Sequence, residues 1–282
     1  MHTRQLYSQM QCALSPAGKP HYILRTLSVD YDSGSTVSVG THARPQLVHG
    51  RSDAVRAEVD DELWIIPPRR ALLVPAQTPH KLKMLGRVKL RTLYCSPISP
   101  VRRLETRVID VCGLLHEAIL RCCELMCLDG RNDSDSRLAA LITEEVLAAK
   151  SMTISLVIPK NERARRIADR FSDMETAHRE LGSLLLDIGV SRRTAERLFQ
   201  AETGLSRARW RRNALLSLAI ERLAKGHSVA QIVQAVGYHS QPAFTEAFKR
   251  VLGFSPQTVL AHDLDIKPIE MAQNQVWNER ST

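Results

Sequence analysis

Several features that would each have assigned this 282-residue chain to a class are missing from it. No stretch approaches the roughly 18 consecutive apolar residues of a membrane-spanning helix, and Met1 to Pro20 carry no apolar core of a secretory leader. The six cysteines, Cys12, Cys95, Cys112, Cys122, Cys123 and Cys127, form no C-x-x-C pair and no repeating framework, which argues against a disulfide scaffold. No Pro-Cys-His nucleophile motif occurs. These absences make the cytoplasm the expected compartment and a membrane partner unexpected. What is present is a 44% hydrophobic composition, enough for buried cores and incompatible with a disordered or fibrous chain.

Charge is the first positive signal. The net charge is +9, and between Lys160 and His262 there are 17 Lys+Arg against 10 Asp+Glu. Such a surplus favours a polyanionic partner, because cations that neutralise phosphates release condensed counterions. An ordinary solvated surface has the same composition, so composition alone leaves both readings open.

Along the chain, Ile23 to Val29, Val55 to Val59, Leu63 to Ile66, Ala71 to Val74 and Val88 to Tyr94 are short apolar runs separated by turn residues. Strands at this spacing predict a sandwich or small barrel. After Pro100 the period lengthens. Val101, Leu104, Val108, Val111, Leu115, Ile119 and Cys122 recur three or four apart, which predicts one helix of six or more turns. A second helix is expected over Ser136 to Ala149. Pro159 precedes a charged helix starting near Asn161 and marks a domain boundary. The expected organisation is α+β: a β domain over 1–100, a helical dimerisation or linker region over 101–158, an all-helical domain over 159–262, and a frayed tail over 263–282.

The most informative segment runs from Asp187 to Phe199. Gly189 suits a left-handed helix end, and Ser191 suits the cap of the next helix. Val190, Ala195, Leu198 and Phe199 form an inner face. Arg192, Arg193, Glu196, Arg197 and Gln200 are left outward, offering a major groove cations for guanine edges and phosphates and an acid for a cytosine amine. The same grammar returns from Ile232 to Phe248. There Gly237 closes a helix, Ser240 caps the next, and Phe244, Ala247 and Phe248 face in. Gln241, Pro242, Thr245, Glu246 and Lys249 face out. One such unit is usually an ordinary helix hairpin; two in tandem in a basic segment predict DNA binding. Between them, a helix from Ser206 to about Lys225 would span roughly 27 Å, a suitable strut for two helices in major grooves about 34 Å apart.

These motifs resemble the AraC/XylS family of transcription regulators. The resemblance is carried by Val190-Ser-Arg-Arg-Thr, Glu196-Arg-Leu-Phe, Ala201-Glu-Thr-Gly-Leu-Ser, Trp210-Arg211, Val236-Gly-Tyr, and Ala243-Phe with the downstream Lys249-Arg and Gly253-Phe-Ser-Pro. It covers nearly all of Lys160 to His262. It implies double-stranded promoter DNA as partner, with RNA polymerase as a further one. It also implies a site built from Ser191, Arg192, Arg193, Thr194, Glu196, Arg197, Gln200, Arg211, Ser240, Gln241, Pro242, Ala243, Thr245, Glu246 and Lys249. In family members the positions matching Arg193, Glu196 and Arg197, and Pro242, Ala243 and Glu246, meet bases or backbone. Pro242 and Ala243 hydrogen-bond little, so the second unit is expected to read fewer bases. Leu185 and Val233 stand where the family usually has a small alanine, which raises the question of a packing shift at each unit.

The run from Glu62 to His80, with Met84-Leu-Gly and Arg91-Thr-Leu-Tyr94, resembles the cupin-like sensor domain of one branch of that family. It implies a β-barrel that binds a small-molecule effector and sometimes helps form a homodimer. His42, Trp64, His80 and Tyr94 are the candidate effector residues, although Trp64 and Tyr94 suit a plain barrel core equally. The alternative is a metal-dependent cupin enzyme with an accessory helical domain. Such sites need a His-x-His pair, a following acid and a further His. His80 stands at the last ligand position and His49 is a further candidate, but His42-Ala43-Arg44 supplies no pair. No metal, no cofactor and no enzymatic activity are therefore expected. Cys112, Cys122, Cys123 and Cys127 are read as sharing a helix, more as buried thiols than as a sensor.

Overall fold

The computed structural model describes residues 21–152, 155–173, 176, 180–252 and 255–260. The expected tail over 263–282 lies outside them, as does the N-terminal segment. The β domain contains β1 (Tyr22–Tyr31), β2 (Thr36–Val39), β3 (Gln46–Gly50), β4 (Val55–Val59), β5 (Glu62–Ile66), β6 (Arg70–Val74), β7 (His80–Met84), β8 (Val88–Cys95), β9 (Arg107–Asp110), β10 (Cys127–Asp129), β11 (Ser151–Met152) and β12 (Ser155–Val157). They form two antiparallel sheets, ordered β10-β1-β8-β3-β6-β9-β11 and β12-β5-β4-β7-β2. The sheets enclose one interior, the small barrel or sandwich that the strand spacing predicts.

Side-chain period follows from what covers each sheet. In β7, His80, Leu82 and Met84 are buried while Lys81 and Lys83 are exposed, the alternation of a strand with one wet face. All five residues of β3 are buried. Its inner face looks into the barrel, and its outer face lies under α1 (Gly113–Leu125) and α2 (Asp133–Ala148), where Leu47, Leu73 and Leu93 join Leu115, Ile119, Cys122, Ile142 and Val146 in one core.

The single long helix expected after Pro100 is not formed. Residues 100–103 make a 3-10 turn capped by Ser99. Arg107–Asp110 is then a strand that pairs Leu72 with Val108 and Ala71 with Ile109. Adjacent apolar β-branched residues, both fully buried, suit a strand covered on both faces, and the three-or-four spacing across this segment is coincidental. The helix begins only at Gly113, where Cys112 Sγ accepts from Leu115 N. Cys122 and Cys123 are in α1, but Cys127 is in β10, which corrects the reading of four cysteines on one helix. Residues 101–158 thus supply β9 to β12 to the sheets as well as two helices.

The helical domain comprises α3 (Glu162–Phe171), α4 (Leu181–Ile188), α5 (Arg192–Thr203), α6 (Arg207–Ala224), α7 (Val229–Ala235), α8 (Gln241–Leu252) and α9 (Pro256–Leu260). Helix α6 serves two cores. Its first half gives Trp210 and Ala214 to a cluster with Phe171, Leu184, Leu185, Ala195 and Phe199. Its second half gives Leu216, Ala219, Ile220 and Leu223 to a cluster with Ile232, Val233, Phe244 and Phe248. Each unit therefore has its own hydrophobic centre on one shared rod.

The two domains touch through β5 and its neighbours. Ile65, Ala54 and Leu85 join the second helical core, and Leu63 packs on the first. Arg56 and Glu221 form an ion pair across the same contact, and Trp210 Nε1 donates to the Val157 carbonyl at 2.9 Å. Among the described residues no helix is long and apolar enough to cross a membrane.

Candidate nucleic-acid interface

The two helix-turn-helix units are built alike from local chemistry. Helix α4 ends at Gly189 with φ 71°, and α7 is followed by Gly237 with φ 76°. Both are left-handed positions that an L side chain adopts only with strain. In the first unit Ser191 Oγ accepts from Thr194 N at 3.1 Å. In the second, Ser240 Oγ accepts from Ala243 N at 3.4 Å. The predicted caps are thus the observed ones, satisfying first-turn amides that have no intrahelical partner. Helix α7 carries a full capping box between Ser228 and Gln231.

Both helices that follow the turns are amphipathic in the expected sense. Ala195 and Phe199 of α5, and Phe244, Ala247 and Phe248 of α8, are buried. Arg192, Arg193, Arg197 and Gln200 are exposed on α5, with Thr194 half-buried. On α8, Gln241, Pro242, Ala243, Glu246 and Lys249 are exposed and Thr245 is half-buried. Gln241, Pro242, Thr245, Glu246 and Lys249 line one open hollow. Leu185 and Val233 are buried within their respective cores, so their extra bulk is taken up by packing while both turns keep their geometry.

Two expected site residues are held by protein. Glu196 Oε1 accepts from the backbone N–H of Arg207, and its Oε2 lies 3.5 Å from Arg207 Nε, which ties α5 to the start of α6. Arg211 is half-buried with its guanidinium 5.0 Å from the centre of the Phe171 ring. Burial, then the neighbouring Arg207, pushes its pKa down. Sequence reasoning also missed residues that converge on α5 from elsewhere. Asn161, Glu162 and Arg163 share a hollow with Thr194, Arg197 and Leu198. Glu202 accepts from the backbone N–H groups of Lys160 and Asn161 at 2.6 and 2.8 Å, which anchors the start of α3 there. The charged opening of α3 was visible, but its placement beside a segment thirty residues on was not.

The candidate effector residues His42, Trp64, His80 and Tyr94 are all buried in the barrel. His42 makes edge contacts with His80 and Tyr94, ring centres 5.2 and 5.4 Å apart. The Gln46 side-chain amide bridges His42 Nε2 and the Tyr94 hydroxyl at 2.8 and 3.3 Å. His80 Nδ1 lies 3.0 Å from the Thr78 carbonyl, and burial holds this imidazole below the usual histidine range. His49 is elsewhere. It sits on the outer face of its sheet, with Nδ1 on the Arg70 carbonyl at 2.9 Å and Nε2 3.0 Å from His116 Nδ1 of α1. Of the candidate metal-ligating histidines, His42 and His80 meet inside the barrel, and His49 does not join them. Among the described residues no three His, Cys, Asp or Glu side chains are grouped to hold an ion. Burial raises the thiols of Cys95, to about 12, and of Cys122, the opposite of what a reactive cysteine needs.

Sequence comparisons with known proteins agree with the helix-turn-helix geometry. A helix-turn-helix domain family matches residues 186–262. The chain is similar to the HTH-type transcriptional regulator NimR of Escherichia coli (strain K12), 24% identical over 233 residues, which is 83% of this chain and 85% of that one. It is also similar to the HTH-type transcriptional regulator RipA of Corynebacterium diphtheriae, 30% identical over 101 residues, 36% of this chain and 30% of that one. The structure of unsaturated fatty acid bound wild-type ToxT from Vibrio cholerae aligns at 11% identity with a TM-score of 0.37, covering 85% of this chain and 95% of that one. A pair of capped helix-turn-helix units on one rod, with regulators as relatives, defines a DNA-binding transcription regulator. Within that class, the matched helix-turn-helix domain covers the segment whose motifs resemble the AraC/XylS regulators.

Proposed function

We propose that the protein binds promoter DNA by presenting α5 and α8 to the major groove, with α6 setting the distance between them. The observation that carries this reading is that both helices bury an apolar face in separate cores while Arg193, Arg197, Gln241 and Lys249 stay exposed. Arg193 and Arg197 read bases. Arg192, Arg163 and Lys249 meet phosphate, and Ser191, Thr194, Gln200, Ser240, Gln241 and Thr245 meet sugar, phosphate or base edges. Pro242 and Ala243 supply shape with little hydrogen bonding. Glu196 and Arg211 support α5 and α6 from within the protein.

The barrel takes a small-molecule effector among His42, Trp64, His80 and Tyr94, and acts as a binding domain without catalysis. The protein works in the cytoplasm as a homodimer, in contact with RNA polymerase at the promoter. The dimer reading is supported by Leu114 of α1 and Leu147 of α2, large apolar side chains left 54% and 41% exposed. The test is footprinting of the full chain on DNA upstream of its own and adjacent genes. Protection of two segments about one helical turn apart is expected, and protection indifferent to sequence overturns base reading.

A further inference from the structure

Strand alternation gives β5 two different audiences. Leu63 and Ile65 point outward into the two helical cores. Trp64, between them, points into the barrel among Val48, Ala57, Leu72, Val74 and Leu82. On the same inner face, one strand beyond β4, lies His80. Trp64 stands opposite Ala57 and His80 opposite Val59, so from strand spacing and rise their Cα atoms are roughly 12 Å apart. Between them Ala57 contributes only a methyl group to the wall.

Both side chains are more than nine-tenths buried, at 5% and 6% exposure, and each keeps one polar atom to which no protein group hydrogen-bonds: Trp64 Nε1 and His80 Nε2. Buried polar atoms are ordinarily satisfied, because their lost hydration is otherwise unrecovered. The two atoms are opposite in kind. An indole nitrogen only donates. A carbonyl only accepts, so the contact with Thr78 O places the His80 proton on Nδ1 and leaves a lone pair on Nε2. The interior thus offers one donor and one acceptor, with the His42 ring against His80 and the Tyr94 ring against His42.

We propose that the barrel interior binds a small neutral planar molecule carrying both a hydrogen-bond acceptor and a donor, of the amide or azole type. Its acceptor meets Trp64 Nε1–H and its donor meets His80 Nε2. This rests on the sensor reading above and specifies its ligand class. Neutrality follows from the pairing, since a carboxylate only accepts and has no donor to give His80 Nε2.

The experiment is calorimetric titration of the full chain with three probes of one size: benzamide, methyl benzoate and benzoate. Benzamide bears donor and acceptor, the ester only acceptors, and the acid a charge. Benzamide is expected to bind at least tenfold more tightly than either of the others. His80→Leu should remove the preference of benzamide over the ester, whereas Trp64→Phe should weaken both by a similar factor. Retained circular dichroism and retained DNA binding show that the variants are folded. Benzoate binding best, a preference unchanged in His80→Leu, or no binding of any probe at millimolar concentration to the folded chain overturns the proposal. The last outcome would mean that the two atoms are satisfied by buried water alone. Because the titration contains no DNA, its failure is distinguishable from failure of the regulator reading, which shows in footprinting.

Discussion

Glu196 and Arg207 join α5 to the start of α6: the Glu196 carboxylate accepts from the Arg207 amide at 3.3 Å and lies 3.5 Å from its guanidinium. A side chain that sequence pattern assigns to a base edge is thereby bound to the protein, at the end of α6 where the spacing of the two units is set. Glu196→Ala is accordingly expected to weaken binding to all DNA sequences alike. Fluorescence anisotropy on a panel of single-base operator variants checks this. Discrimination lost at one base pair only would restore the base-reading role.

Arg193 and Arg197 behave differently, being exposed on the free side of α5. Each Arg→Ala change should cost about 1 to 3 kcal/mol of binding to the cognate site and relax the preference at one or two positions. Competitive gel shifts with specific and nonspecific DNA measure both effects.

The domain contact has its own test. Glu221 and Arg56 are each largely buried, at 14% and 25% side-chain exposure. Arg56→Ala leaves a carboxylate poorly hydrated and unpaired, and is expected to destabilise the protein by about 1 to 3 kcal/mol in urea. Replacing both residues by leucine should recover most of that loss, because the penalty lies in the stranded charge.

Acid sensitivity should originate at His49. It is fully buried between β6 and α1, with His116 against its Nε2 and Arg91 and Arg69 nearby, and burial lowers its pKa from 6.5 to about 4. Folding therefore favours the neutral ring. As pH falls the unfolded chain takes up the proton first, so this contribution is complete above about 6.5 and is lost as pH falls toward 4. The full loss is about 3 kcal/mol. Urea midpoints from pH 7 to pH 4 should show the decline, and His49→Gln should flatten it.

The helical domain was largely legible in the sequence because its determinants are local. Gly189 and Gly237 end helices through their own backbone freedom, Ser191 and Ser240 cap the next ones, and the aromatic spacing on α8 fixes its inner face within twelve residues. The β domain was less legible. His80-Lys-Leu-Lys-Met alternates, yet β2, β3 and β7 are not among the apolar runs that stand out in the sequence. Val108 and Ile109 fit a helical period, because a strand buried on both faces has no periodic signature and is identified only by its partner.

The sequence by itself determined that two capped, basic helix-turn-helix units stand on a common rod, since caps, turns and amphipathic faces depend on residues within a few positions of one another. The tertiary structure decided which polar groups remain available. Glu196 was claimed by Arg207, His49 went outward to His116, and Trp64 and His80 were left facing one interior with a donor and an acceptor each unmet. Those outcomes depend on contacts between residues far apart in the chain, where burial and register, and not local preference, select the partner.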